Sequence, residues 1–150
     1  MIKAKKSLGQ NFLVDQNIIS KISEVVEIEN KCILEVGPGK GALTSALLDK
    51  KPKKFLAIEK DNELIFFLDK KFGKKITLIN KDILDIDENA LEKEVLMVFG
   101  NLPYNISTEI LCKWILNIND NKFWFNNLIL MFQKEVADRI ISKFNSKNYG

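Results

Sequence analysis

The sequence contains no histidine, only two cysteines in its 150 residues, and a single arginine, Arg139, among 23 basic residues. Without histidine, neither a Cys/His zinc site nor a histidine-based catalytic triad can be built from this chain. Cys32 and Cys112 both lie among apolar neighbours and are expected to pack as small core residues rather than to react. Acid–base chemistry therefore falls to carboxylates, lysine or tyrosine, or is not needed. No apolar run approaches the roughly 20 residues of a membrane span, and the basic start MIKAKKSLGQ lacks the apolar segment of a signal peptide. These absences point to a cytoplasmic protein with no membrane and no metal; a monomer is expected.

What is present suits one globular domain. Apolar residues make up 46% and charged residues 29%, and a chain of this length buries roughly 68–70% of its unfolded surface. The net charge is only +3. Lysines cluster at Lys3, Lys5 and Lys6, at Lys50, Lys51, Lys53 and Lys54, and at Lys70, Lys71, Lys74 and Lys75. With lysine the default basic residue, these clusters read first as solvated faces and helix ends, and second as a phosphate-binding surface.

Helix and strand signals alternate along the chain. Ile18, Ile19, Ile22, Val25 and Val26 have helical spacing behind a candidate cap, Asp15. The runs 32–36, 53–59, 76–80, 95–100 and 127–132 read as strands. Helices are expected over 41–50, after Asp61 as a cap, after Ser107 as a cap, and over 134–144. Five alternations predict an α/β fold, a parallel sheet with helices on both faces. In such sheets ligands bind outside the carboxyl ends of the strands, so the segments after Val36, Ile58, Asn80 and Phe99 should share one crevice.

Those segments are chemically distinctive. EVGPGKGALT, residues 35–44, places Gly37 and Gly39 where the backbone can turn tightly and approach a ligand, ahead of a helix that presents its first amides. Glu59, at the end of the second strand, suits the two hydroxyls of a ribose. Together they predict a nucleoside-containing cofactor. Gly37, Gly39 and Ala42 also fit the dinucleotide pattern of a nicotinamide enzyme. Glu35, however, would repel a pyrophosphate and suits an ammonium group, such as the methionine part of S-adenosylmethionine. After the third strand, Asp82 is placed to accept from an adenine amino group and Ile83 to pack on its ring.

The segment VFGNLPYNIS, residues 98–107, follows the fourth strand. The amino group of adenine is a weak nucleophile because its lone pair is delocalised into the ring. Acceptors for both amine protons let the nitrogen pyramidalise; the Asn101 side-chain oxygen and the Leu102 carbonyl can serve. Pro103 fixes the chain direction and biases Leu102 toward extended geometry. Tyr104 offers a flat face on which an extruded base can stack, worth roughly 1–3 kcal/mol.

Four blocks, LGQNFL (8–13), EVGPGKGALT (35–44), FGNLPYNIS (99–107) and QKEVADRI (133–140), resemble the KsgA/RsmA family of ribosomal RNA small-subunit adenine dimethyltransferases. The erythromycin-resistance 23S rRNA methylases share much of the pattern. The resemblance implies a Rossmann-like S-adenosylmethionine-dependent methyltransferase fold. It also implies dimethylation of two adjacent adenines in a 3′-terminal hairpin of 16S rRNA, on a 30S pre-ribosomal particle. By resemblance, Gln10, Asn11 and Leu13 join Gly37, Gly39, Glu59, Asp82, Ile83 and Asn101 around the cofactor, while Tyr104 stacks on the target base and the lysine clusters become phosphate contacts. Family members continue into two further strands and a small helical RNA-binding domain, so residues 1–150 are expected to be the catalytic domain without its last strands. An NAD-dependent oxidoreductase and a non-catalytic RNA-binding module are the competing readings.

Overall fold

The computed structural model describes residues 3–5, 8–118, 123–147 and 149; Lys6, part of the first lysine cluster, lies outside them. Five strands form one parallel sheet: β1 (Cys32–Val36), β2 (Lys54–Glu59), β3 (Thr77–Asn80), β4 (Leu96–Asn101) and β5 (Phe125–Met131). Their order is β3-β2-β1-β4-β5. The chain reverses its direction of travel between β3 and β4, so the switch point falls between β1 and β4, where ligand crevices form in open α/β sheets.

Alternate residues of the central strands feed two cores. On one face Leu34, Val36, Leu56, Ile58 and Val98 pack with Ile110 and Trp114 of helix α4 (Ser107–Leu116). On the other, Ile33, Phe55, Ala57, Met97 and Phe99 meet Ile19 of α1 (Gln16–Glu24) and Leu43 and Leu47 of α2 (Ala42–Leu48). Every residue of β1 is buried, which explains its nearly continuous apolar run. Complete burial of side chains such as Phe99 and Trp114 stabilises the fold by roughly 2–3 kcal/mol each. Helices α3 (Asn62–Phe72) and α5 (Lys134–Ile140) complete the order. Among the described residues, no helix is long and apolar enough to cross a membrane.

Two caps follow the sequence pattern. The Asp15 carboxylate accepts from the Asn17 and Ile18 amides, and that of Asp61 from Glu63 N. Three expectations need correction. Ser107 is the first residue of α4 rather than its cap, and its hydroxyl turns back to donate to the Tyr104 carbonyl at 3.4 Å. Cys112 is exposed, because Ile110 and Trp114 occupy the buried face of α4 and a residue midway between them points outward. Finally, α5 stops at Ile140 instead of running to residue 144. Ile140, Ile141 and Phe144 are all more than half exposed, so no buried face draws the helix onward.

Candidate active site

The carboxyl ends of the strands carry the expected segments, and the chain from Leu8 to Leu13 crosses above them. Gly37, Gly39 and Gly41 adopt φ of 71°, 55° and 71°, a region costly for residues with a Cβ. Gly37 has a second constraint: a Cβ there would lie 3.1 Å from the Asn101 carbonyl oxygen. The loop after β1 and the turn after β4 are thus in backbone contact across the switch point.

Three spaces line this edge. The first, about 40 Å³, is bounded by Gln10, Asn11, Phe12, Leu13, Glu35, Gly37 to Lys40, Asn101 and Pro103. The second, about 150 Å³, lies between Gln10, Glu59, Lys60, Asp82, Leu84 and Asn105. The third, about 420 Å³, is an open cleft walled by Asn11, Val14, Ile18, Asn101, Tyr104, Met131 and Phe132. Gln10 separates the first two spaces. Asn101 borders both the first and the third.

The crossing segment is pinned at defined points. Lys5 Nζ donates to Asp61 Oδ1 at 2.7 Å and Gln10 Nε2 to Asp61 Oδ2 at 3.1 Å, while Gln10 Oε1 accepts from Lys5 N. Burial pushes the Asp61 carboxyl upward, but Lys5, Gln10 and the Glu63 amide together hold it below its ordinary value. Phe12 covers Gly39, whose Cβ would come within 3.0 Å of the ring, and Lys40 Nζ sits 4.8 Å above the same ring. Asn11 holds the β4 turn twice. Its backbone oxygen accepts from Asn101 Nδ2 at 2.7 Å, and its own Nδ2 donates to the Tyr104 hydroxyl at 2.9 Å. Since the Asn101 amide N–H is engaged there, its Oδ1 is left as an acceptor. Tyr104 keeps 38% of its surface exposed.

The acids at the edge are shifted in different directions. Glu35 is buried and accepts from the Thr44 hydroxyl at 2.6 Å. Burial pushes its carboxyl up to about 7, with the charge of Glu59 adding to this and Thr44 opposing it. Burial also raises Glu59, against the amides of Asp61, Gly39 and Lys60. Asp82 goes the other way: Lys60 Nζ at 2.6 Å holds it below its ordinary value, helped by the Leu84 amide.

The sequence-predicted residues are therefore gathered at one edge. Gln10, Asn11, Leu13, Gly37, Gly39, Asn101 and Pro103 border the first space, Glu59 and Asp82 the second, and Tyr104 the third. One differs in kind: Ile83 is 5% exposed and packs in the core, and its neighbour Leu84 lines the space instead. The Leu102 side chain is also buried, which fits a role carried by its backbone carbonyl. Phe12, Asp61 and Lys60 were not foreseen as site residues, although Phe12 lies inside the LGQNFL block. The lysine cluster at 53–54 sits at the opposite end of β2, with Lys53 bonded to Glu94 and Lys54 to Glu92, so it does not face this edge.

The model of the ribosomal RNA adenine dimethylase family matches residues 1–150. The chain is 60% identical over 149 residues to a ribosomal RNA small subunit methyltransferase A of Pelagibacter ubique, covering 99% of this chain and 56% of that protein. Among solved structures, a dimethyladenosine transferase from Plasmodium falciparum superimposes with a TM-score of 0.78 at 28% identity, covering 93% of this chain and 49% of that one. The 23S rRNA methyltransferase ErmE gives a TM-score of 0.72 at 29% identity, over 86% and 50% respectively. The chain thus spans about half the length of the relatives it matches.

Proposed function

Because the chain belongs to the ribosomal RNA adenine dimethylase family, we propose that it transfers methyl groups from S-adenosylmethionine to adenine amino groups of small-subunit ribosomal RNA, in the cytoplasm and as a monomer. The two adjacent adenines of the 3′-terminal 16S hairpin are the proposed target. The observation that carries this reading is the place of Asn101. It borders the glycine-loop space on one side and the Tyr104 cleft on the other, and its amide is oriented by Asn11.

The residues at the edge fit the cofactor. A buried carboxylate, Glu35, stands beside the glycine loop to balance a cation. Gly37 and Gly39 allow close backbone approach to the methionine part. Glu59 suits a ribose diol, and Asp82 with Leu84 suits an adenine. When bound, S-adenosylmethionine supplies an electrophilic methyl group.

On the RNA side, Tyr104 stacks the flipped base and Asn11 keeps the ring from turning away. Asn101 Oδ1 and the Leu102 carbonyl accept hydrogen bonds from the two amine N–H groups, so the nitrogen pyramidalises with its lone pair available, and the proton lost on methylation leaves to solvent. Such preorganised acceptors act in a low-dielectric site and need no strong base, consistent with a chain lacking histidine. The nicotinamide alternative gives the Asn-Leu-Pro-Tyr turn no task.

Calorimetry with S-adenosylmethionine and with NAD tests the cofactor assignment. Binding of S-adenosylmethionine alone is expected, and binding of NAD alone would overturn it. A non-catalytic RNA-binding role would instead show as salt-sensitive RNA binding with no methyl transfer at any enzyme concentration.

A further inference from the structure

One buried charge has no part in the chemistry proposed above. Glu88 is 1% exposed and sits in a short 3₁₀ turn, Glu88–Ala90, beyond the Asp82 loop. Its carboxylate accepts from Lys113 Nζ at 2.6 Å and from Trp114 Nε1 at 2.8 Å, both on α4. The same Lys113 ammonium donates to the backbone carbonyls of Ile83, at 2.9 Å, and Ile86. One cation therefore fastens three points of segment 83–88 to the helix that follows the Asn-Leu-Pro-Tyr turn.

This fastening acts at the adenine end of the crevice. Asp82 and Leu84 border the second space, and Ile83 is anchored between them by its buried side chain and its Lys113-bound carbonyl. Asp82 Oδ2 is held by Lys60 Nζ at 2.6 Å and Oδ1 accepts from the Leu84 amide at 3.1 Å, so the direction of the carboxylate depends in part on how the 83–86 turn is held. A lysine lost here would leave a buried carboxylate without its cation, and two carbonyls without a donor.

We propose that Lys113, seated by Glu88, is a positioning residue that sets the Asp82–Leu84 subsite and with it the preference for an adenine amino group. The proposal rests on the reading of this crevice as an S-adenosylmethionine site. The test compares binding of S-adenosylhomocysteine with that of S-inosylhomocysteine, in which a carbonyl oxygen replaces the adenine amino group. The wild-type chain is expected to prefer the first by about tenfold, the scale of one hydrogen bond to a charged group. In Lys113→Met the ratio should fall toward one, and Lys113→Arg should restore part of it. A merely structural lysine would weaken both ligands equally and leave the ratio intact, which would overturn the proposal, as would unchanged binding of both.

If circular dichroism shows Lys113→Met unfolded, Glu88→Gln takes its place. It keeps the volume and removes the anion that seats Lys113. The ratio should then fall about threefold or more, and an unchanged ratio would overturn the proposal. The two readings fail differently. A wild-type chain that binds neither ligand defeats the cofactor assignment and the proposal together, whereas equal binding of both defeats only the subsite.

Discussion

Asn11 and Asn101 stand 90 residues apart in the chain and are joined at 2.7 Å, the Asn101 amide donating to the Asn11 carbonyl. That bond decides which end of the Asn101 side chain faces the two spaces it borders. Asn101→Ala removes the acceptor and one of the two Asn11 contacts, leaving the Asn11–Tyr104 bond to hold the β4 turn. Methyl transfer should drop on the order of 100-fold to 1000-fold, the cost of removing one preorganised partner of a transition state. Affinity for S-adenosylhomocysteine, measured by calorimetry, should change far less.

Asn11 also donates to the Tyr104 hydroxyl, and this contact can be isolated. Asn11→Ala and Tyr104→Phe each remove it, so the pair should be non-additive in RNA affinity, with a coupling of about 0.5–1 kcal/mol. Additive effects would mean that the contact does not orient the ring.

Gly37 and Gly73 both have positive φ, 71° and 53°, but a Cβ would meet the Asn101 carbonyl oxygen at the first and nothing within 4 Å at the second. Gly37→Ala should cost about 1–2 kcal/mol in denaturant unfolding and weaken cofactor binding. Gly73→Ala, at φ 53° and ψ −130°, should show at least as large a backbone cost with binding unchanged. The comparison separates backbone strain from closeness to the site.

Glu35 gives a pH signature. Its carboxyl is raised from 4.5 to about 7 by burial, so the folded state holds the proton more tightly than the unfolded state. This group's contribution to stability is therefore greatest below about 4.5, declines as pH rises toward about 7, and is flat above. A cation bound beside it favours the carboxylate and releases the proton. Affinity for S-adenosylhomocysteine should accordingly rise between about pH 6 and 7.5, and Glu35→Gln should flatten that rise, as read by calorimetry across buffers.

Much of this was legible because it is local. The buried strands announce themselves as short apolar runs, Asp15 and Asp61 precede helices as caps do, and the glycine loop and Asn-Leu-Pro-Tyr turn are contiguous words in the chain. Contacts across long separations were not legible. Asp61 looked like a helix cap, and nothing local says that it also receives Lys5 and Gln10 from 56 and 51 residues away. Leu84 rather than Ile83 lines the second space because the turn there is 3₁₀, where one residue changes the face. The outward position of Cys112 and the far-edge position of Lys53 and Lys54 follow from helix and strand geometry, once the elements are placed.

Asn101, Leu102 and Tyr104 are proposed to present an RNA adenine for methylation at its amino nitrogen. The most direct measurement is single-turnover transfer of labelled methyl from S-adenosylmethionine to a small-subunit 3′-terminal hairpin RNA, with the nucleoside products resolved by mass spectrometry. Label in N6-methylated and N6,N6-dimethylated adenosine, lost in Asn101→Ala, is the predicted result. Label on any other atom, or equal transfer by Asn101→Ala, would contradict it.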